Sequence, residues 1–218
     1  MSQLTTRLLL LCLVAFGASS VNAIAAEPQP PLEVIKQTAD RMLAKLKTDE
    51  AIARKDPTRI YALVSDIVLP RFDFERMASW VLGKHWRTAT PIQREKFVAE
   101  FRSLLVRTYA ASLTDYTDRS ITYAPVRADP GATEVTVQTA VEQAGAAAIP
   151  IDYRLALKEG EWKVYDVAID GVSLVTNYRT SFSNEIRKSG LDQLIAKLAQ
   201  RNQSSQPAAS TKARTQAP

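Results

Sequence analysis

Histidine occurs once, at position 85, and cysteine once, at position 12. A nucleophilic triad would have to combine His85 with a serine and a carboxylate from elsewhere, and a histidine-bound metal lacks its second imidazole. No H-E-x-x-H run is present. Beyond the first 26 residues the glycines stand singly at 83, 131, 145, 160, 171 and 190, so neither a dinucleotide loop nor a phosphate-cradling loop exists. The expected metal set and the expected cofactor set are both empty. Asp66, Asp73 and Glu75 cluster, but Arg59, Arg71 and Arg76 are interspersed with them. Such mixtures on amphipathic helices read as solvated faces with weak ion pairs. His85 reads as a loop residue between Lys84 and Trp86.

One cluster is chemically richer. Trp80-Val81-Leu82-Gly83-Lys84-His85-Trp86-Arg87 puts two indoles and three potential cations beside a helix break. Rings flanked by cations suit a boundary that is dry on one side and wet on the other, such as lipid head groups. Core packing of Trp80 with exposed cations fits the same residues, and the sequence leaves both open. The net charge of +5 includes Arg7, Lys212 and Arg214 near the two ends. The remainder is too weak a bias for nucleic acid.

The elements that must carry these residues follow from patterning. Arg7, the apolar run Leu8 to Phe16, and small residues at A-x-A spacing up to Ala26 read as a signal peptide over 1–26. Cys12 lies inside the apolar run with Leu11 before it, where a lipoprotein would carry a small residue, so the domain has no thiol and no disulfide. It must rest on its hydrophobic core. The prediction is one domain over 27–202 and a disordered tail over 203–218.

Leu32, Ile35, Ala39, Met42 and Leu46 space out an amphipathic helix over 32–54. Asp56-Pro57 opens a second that stops before Pro70, and a third covers 72–82 and ends at Gly83. Thr90-Pro91 opens the longest, to about Asp115, with Phe97, Phe101, Leu104, Leu105, Tyr109 and Leu113 on one stripe. Arg94, Glu95, Arg102 and Arg107 fall to solvent.

Four strands follow, over 121–126, 132–141, 148–157 and 162–169, with glycine-bearing turns between them. Helices over 172–188 and 191–200 close the domain. The last strand is odd, because Trp162 and Val164 share one parity while Tyr165, Val167 and Ile169 share the other. Helices on both faces, a register-shifting bulge, or an apolar face lining a cavity would each account for it.

Taken in order, Val81-Leu82-Gly83, Thr90-Pro91-x-Gln93-Arg94 with Phe97, Phe101, Leu105 and Tyr109, Trp162-x-x-Tyr165-Asp166, Gly171-Val172-Ser173, Phe182, and Gly190-Leu191-Asp192 with Leu194 form a pattern running from Asp40 to Leu198. It resembles the MlaC, or toluene-tolerance, family of periplasmic lipid carriers of the maintenance-of-lipid-asymmetry system. The resemblance implies an α+β fold, the four-stranded antiparallel sheet curled over helices as an NTF2-like cone with an N-terminal helical portion. It further implies a periplasmic monomer that is not an enzyme. Its cargo would be a glycerophospholipid, shuttled between an outer-membrane lipoprotein–porin complex and an inner-membrane ABC transporter with a ring-shaped lipid-binding subunit.

On this resemblance, the apolar residues expected to line an acyl-chain cavity are Trp80, Val81, Phe97, Phe101, Leu105, Tyr109, Val135, Val137, Ile151, Tyr153, Val164, Val167, Leu174, Val175, Tyr178 and Phe182. Lys84 and Arg87 would lie near the head group, and Gly171 would be the hinge of a helical lid. At about 0.8 kcal/mol per methylene, two chains of ~15 methylenes cost roughly 24 kcal/mol to wet, so a carrier must supply an apolar lining. An empty pocket of ~500 Å3, at about 24 cal/mol per Å3, would cost about 12 kcal/mol, close to a whole domain's stability of about 5–15 kcal/mol. The protein must therefore hold lipid or close.

Two rivals remain. One is an enzyme on the same fold using Asp152, Tyr153 and Asp166 on a hydrophobic substrate, although Asp152 has the opposite strand parity to Tyr153. The other is an adaptor that bridges membrane complexes and carries nothing.

Overall fold

The computed structural model describes residues 28–49, 57–110, 112–113, 119–143 and 145–204. The expected leader, the cap at Asp56 and the tail beyond 204 lie outside them, and the longest helix ends at Tyr109, short of the expected Asp115.

Helix α1 spans Pro31–Thr48, with proline at its first position and Lys45 and Lys47 in its last turn, where cations suit the carbonyl end. Helix α2 (Pro57–Leu63) continues into a π-helical turn, Val64–Val68, in which Leu69 N–H reaches back five residues to the Val64 carbonyl. A 3-10 turn over Leu69–Arg71 follows, so Pro70 sits inside the turn rather than beyond the helix.

Helix α3 (Phe74–Leu82) starts two residues later than the pattern suggested, because Asp73 is its N-cap and accepts from Arg76 N–H at 3.0 Å. Asp73 also pairs with Lys158 at 3.0 Å while only 10% exposed. It is a structural carboxylate and not part of a solvated face. Gly83, at φ +55°, turns the chain into the short helix α4 (Lys84–Thr88), which contains His85; the expected loop is a helical turn.

Helix α5 (Pro91–Tyr109) opens with a reciprocal cap: Thr90 Oγ1 accepts from Gln93 N–H at 3.2 Å, and Gln93 Oε1 accepts from Thr90 N–H at 2.9 Å. Its Arg94 and Arg107 are only half exposed. The Arg94 guanidinium lies 5.1 Å over the Trp86 ring and Nε donates to the Trp86 carbonyl at 3.0 Å.

The sheet has five strands, one more than expected: β1 (Ile121–Tyr123), β2 (Glu134–Gln143), β3 (Ala146–Lys158), β4 (Glu161–Ile169) and β5 (Val172–Ser173), antiparallel in sequence order. Asp170 and Gly171 both take positive φ and close a two-residue hairpin between Ile169 and Val172. The final helices are α6 (Leu174–Ser189) and α7 (Leu191–Ser204). The latter runs two residues into the expected tail, and its Asn202 Nδ2 donates to Glu100 at 2.7 Å and 3.0 Å.

The parity puzzle of β4 resolves as a bulge. Arg154 pairs with Asp166 and Leu155 with Val164, so Tyr165 is an extra residue. Before it Trp162 and Val164 face one side; after it Val167 and Ile169 return to that same side. Cross-strand rows then run Val135–Leu155–Val164, Val137–Tyr153–Val167 and Thr139–Ile151–Ile169. This apolar face packs under Leu32, Val34 and Ile35 of α1. Ala156 and Tyr165 point the opposite way, into a core built by α3, α5, α6 and α7. Helices cover both faces, and a bulge shifts the register as well.

A third cluster joins Met42 and Leu46 of α1 to Ile60, Val64, Ile67 and Leu69. Asp166, 3% exposed, ties the sheet to α6: it accepts from Ser173 Oγ at 2.7 Å and from Val175 N–H at 3.1 Å. The carboxylate thereby serves donors that the first turn leaves unsatisfied.

Replacing Asp166 with alanine strands a buried N–H and should cost about 2 kcal/mol, read by urea unfolding. Asp166→Asn keeps an acceptor and should lose less. Alkali should also destabilise the fold. Burial first, then neighbouring Tyr178, pushes the Tyr109 phenol up to about 12, and burial first, then Tyr123, does the same for Tyr153. A phenol ionises near ~10 when unfolded. This contribution is whole below that pH and is lost as pH rises towards 12. Stability measured from pH 9 to 12 should fall, and Tyr153→Phe should flatten the slope.

Candidate functional site

The residues expected to line one cavity fall into two groups. Val135, Val137, Ile151, Tyr153, Val164, Val167 and Leu174 cluster on the sheet face beneath α1. Val81, Phe97, Phe101, Leu105, Tyr109, Val175, Tyr178 and Phe182 belong to the helical core behind the sheet. The sheet separates the two, so one pocket between sheet and helices does not gather them all. The helical group is interlocked. Phe97 and Phe101 stack with ring centroids at 5.7 Å, Phe182 meets them edge-on at 5.9 and 6.2 Å, and Tyr178 closes on Phe101 at 5.4 Å. Phe97 and Phe101 have no exposed surface.

Trp80 stands apart. It is 44% exposed, with Tyr165 at 5.6 Å and the Arg76 guanidinium at 5.8 Å from its ring. Arg76 also lies 4.1 Å over Tyr165 and donates to Glu134 Oε1 at 2.5 Å, while Tyr165 O–H donates to Glu134 Oε2 at 3.0 Å. These two bonds, Arg76 first, hold the Glu134 carboxyl below its usual range. Lys84 and Arg87 are exposed on α4.

Gly171 sits in a hairpin turn and does not lead directly into a helix. Asp166 clamps the start of α6 just beyond it, which removes the freedom that a hinge there would need. The rival catalytic set is also divided: Tyr153 faces α1, whereas Asp152 and Asp166 alternate to the opposite face.

The sheet face is apolar with a polar end. Tyr123 O–H is enclosed and has no hydrogen-bond partner, and its phenol is pushed up by burial first and then by Asp40. Thr139 Oγ1 donates to the Ile151 carbonyl at 3.0 Å. The polar bonds of α1, Lys36 to Asp40 and Thr38 to the Val34 carbonyl, stay within the helix. What joins α1 to the sheet is apolar packing.

A surface cleft of about 580 Å3 opens where the three clusters meet, lined by Leu69, Pro70, Phe72 and Phe74 together with the cations Arg102, Lys158 and Lys163 and the carboxylates Asp73, Glu159 and Glu161. Phe72 and Phe74 stack at 5.7 Å. Lys158 pairs with Asp73, and Lys163 with Glu161. A second cleft of about 350 Å3 shares Ser65, Leu69 and Arg102 and adds Tyr61, Ser103 and Arg107. Sequence reasoning missed both. The readable signal was Leu69-Pro70 followed by Phe72-x-Phe74, two aromatics of like parity after a helix break. Among the described residues no group of three or more His, Cys, Asp or Glu could hold a metal ion, and no helix is long and apolar enough to cross a membrane.

The family model described as MlaC protein matches residues 36–200. The chain is 29% identical over 183 residues to the intermembrane phospholipid transport system binding protein MlaC of Haemophilus influenzae, covering 83% of this chain and 86% of that one. It is 29% identical over 193 residues to the toluene tolerance protein ttg2D of Pseudomonas putida, covering 88% and 87%. Among solved structures it is similar to the phospholipid-binding protein from Ralstonia solanacearum in complex with a phospholipid. The identity is 31% and the TM-score 0.75, over 81% of this chain and 99% of that one. With its fold and three-quarters of its length matched, this chain belongs to the MlaC family.

Proposed function

We propose that this protein is a periplasmic carrier that binds one glycerophospholipid and moves it between an outer-membrane lipoprotein–porin complex and an inner-membrane ABC transporter. The observation that carries the reading is the likeness, over nearly all of its length, to a protein that holds a phospholipid. The leader pattern of residues 1–26 supports the compartment. Chemistry is not required. The three polar groups available to a rival enzyme lie on two faces of the sheet.

The acyl chains enter the apolar face of the sheet by parting it from α1. Val135, Val137, Ile151, Tyr153, Val164, Val167 and Leu174 then exchange contacts with α1 for contacts with methylenes. The interlocked aromatic core behind the sheet stays fixed and serves as the anvil. Wetting two chains of ~15 methylenes costs roughly 24 kcal/mol, and a face of this breadth offsets a large part of it. When lipid leaves, α1 returns and no dry void remains.

Mass spectrometry of organic extracts of the purified protein should find phospholipid near one per chain. Protein that carries none, and takes none from phosphatidylethanolamine–phosphatidylglycerol vesicles, would refute the carrier. Ile35→Ala loosens α1, and Leu104→Ala loosens the helical core; each should cost about 2–5 kcal/mol. Ile35→Ala should speed lipid release to acceptor vesicles several-fold, and Leu104→Ala should not. Equal release rates at equal loss of stability would remove α1 as the gate.

A further inference from the structure

Most cations of this protein that line a cleft or touch the sheet have carboxylate partners: Arg76 has Glu134, Arg154 has Asp166 at 3.6 Å, Lys158 has Asp73 and Lys163 has Glu161. Arg102 and Arg107 differ. Their guanidinium groups lie 5.7 Å from the Phe74 and Tyr61 ring centres, and neither meets a carboxylate among the described residues. Arg107 Nη1 is enclosed and donates to nothing. A charged donor shut away from water without an acceptor is more costly than a neutral one, so the site is complete only with an acceptor present.

Both arginines line the smaller cleft. Its other polar walls are the Ser65 and Ser103 hydroxyls and Tyr61, and no acid lines it. Ser65 comes from the π-helical turn, a winding that recurs at functional sites. Planar guanidinium forks suit the oxygens of a phosphate. The smaller cleft shares Ser65, Leu69 and Arg102 with the larger one, whose apolar floor of Leu69, Phe72 and Phe74 is where the three cores meet. An anion seat beside the apolar patch of Leu69, Phe72 and Phe74 matches an amphiphile with a phosphate at the root of its tails.

We propose that Arg102 and Arg107 form a seat for the phosphodiester of a bound glycerophospholipid, with Ser65 and Ser103 as further donors. The seat rests on the carrier reading and adds a site to it. It also relocates the head group away from Lys84 and Arg87, which line neither cleft.

The full-length mature protein, stripped of lipid, is incubated with vesicles holding equal phosphatidylglycerol and diacylglycerol, and the bound ratio is read by mass spectrometry. Wild type should favour phosphatidylglycerol. The ratio should fall about tenfold or more in Arg102→Gln/Arg107→Gln, the loss expected from charge-assisted bonds. Arg107→Lys, which keeps the charge and the packing over Tyr61 but not the fork, should fall in between. Thermal melting confirms that each variant is folded. An unchanged ratio in a folded variant overturns the seat. If wild type binds neither lipid, the carrier reading fails on its own, and calorimetric titration with inorganic phosphate decides the site. Binding lost in the double variant would make it a free-phosphate site, and no binding would remove it; either result overturns the lipid assignment.

Discussion

A strand has a period of two, so one inserted residue sends every later side chain to the other face. In β4 that residue is Tyr165. Without the bulge, with Tyr165 taken into the ladder, Val167 and Ile169 would point into the helical layer and the apolar rows that begin at Leu155–Val164 would stop halfway across the sheet. With it, the rows continue through Tyr153–Val167 to Ile151–Ile169, and Asp166 lands on the opposite face where it meets the start of α6. The bulge therefore does three things. It completes the apolar face, it supplies Tyr165 to the core behind, and it aims the carboxylate that fixes α6.

Two cores back to back divide the labour that a lipid carrier must perform. One has to hold the fold when the other is open. The stacked and edge-on rings of Phe97, Phe101, Tyr178 and Phe182 suit the first task, since close-packed interiors resist being opened in parts. The sheet face suits the second. Its rows are apolar but for Thr139, and α1 is the helix laid across them. The absence of any cysteine beyond Cys12 is consistent with this division: no covalent staple is needed while the rear core persists.

Elements with strong local signals were legible. Thr90-Pro91 predicts a capped helix start, and the cap is there, with Gln93 making it reciprocal; Gly83 and Gly190 end helices as their positions imply. The antiparallel order of the strands was legible for the same reason. Failures came where two local codes competed. Asp73 carries both a charge and a capping oxygen, and the structure uses both: it accepts from Arg76 N–H and pairs with Lys158. Asp170-Gly171 is a hairpin signal between Ile169 and Val172, yet Val172-Ser173 is too short to read as a strand, so the fifth strand passed as the start of a helix. The apolar residues stand out in the sequence, but deciding which share a face needs the register of β4, and the split parity of that strand admits a bulge without choosing it over the alternatives. The two clefts were missed although Leu69-Pro70 and Phe72-x-Phe74 marked the larger one, because Arg102 and Arg107 look like any solvent-facing helix residues until the π-helical turn is set against them.

The manner in which α1 and α6 are attached decides which of them can move. Opening α6 would strand the Asp166 carboxylate and the Val175 N–H, and acyl chains have nothing to offer either. Parting α1 from the sheet breaks contacts of Leu32, Val34 and Ile35 with valine, isoleucine, leucine and tyrosine side chains, while Met42 and Leu46 further along the helix keep it anchored in the third cluster. Those contacts are non-directional, and a methylene replaces them nearly one for one. A gate for a hydrocarbon must therefore be held by hydrocarbon: any specific bond across the seam would have to be broken without replacement each time cargo entered. On that ground the helix that, among the described residues, shows no hydrogen bond to the sheet is the one that a lipid would displace.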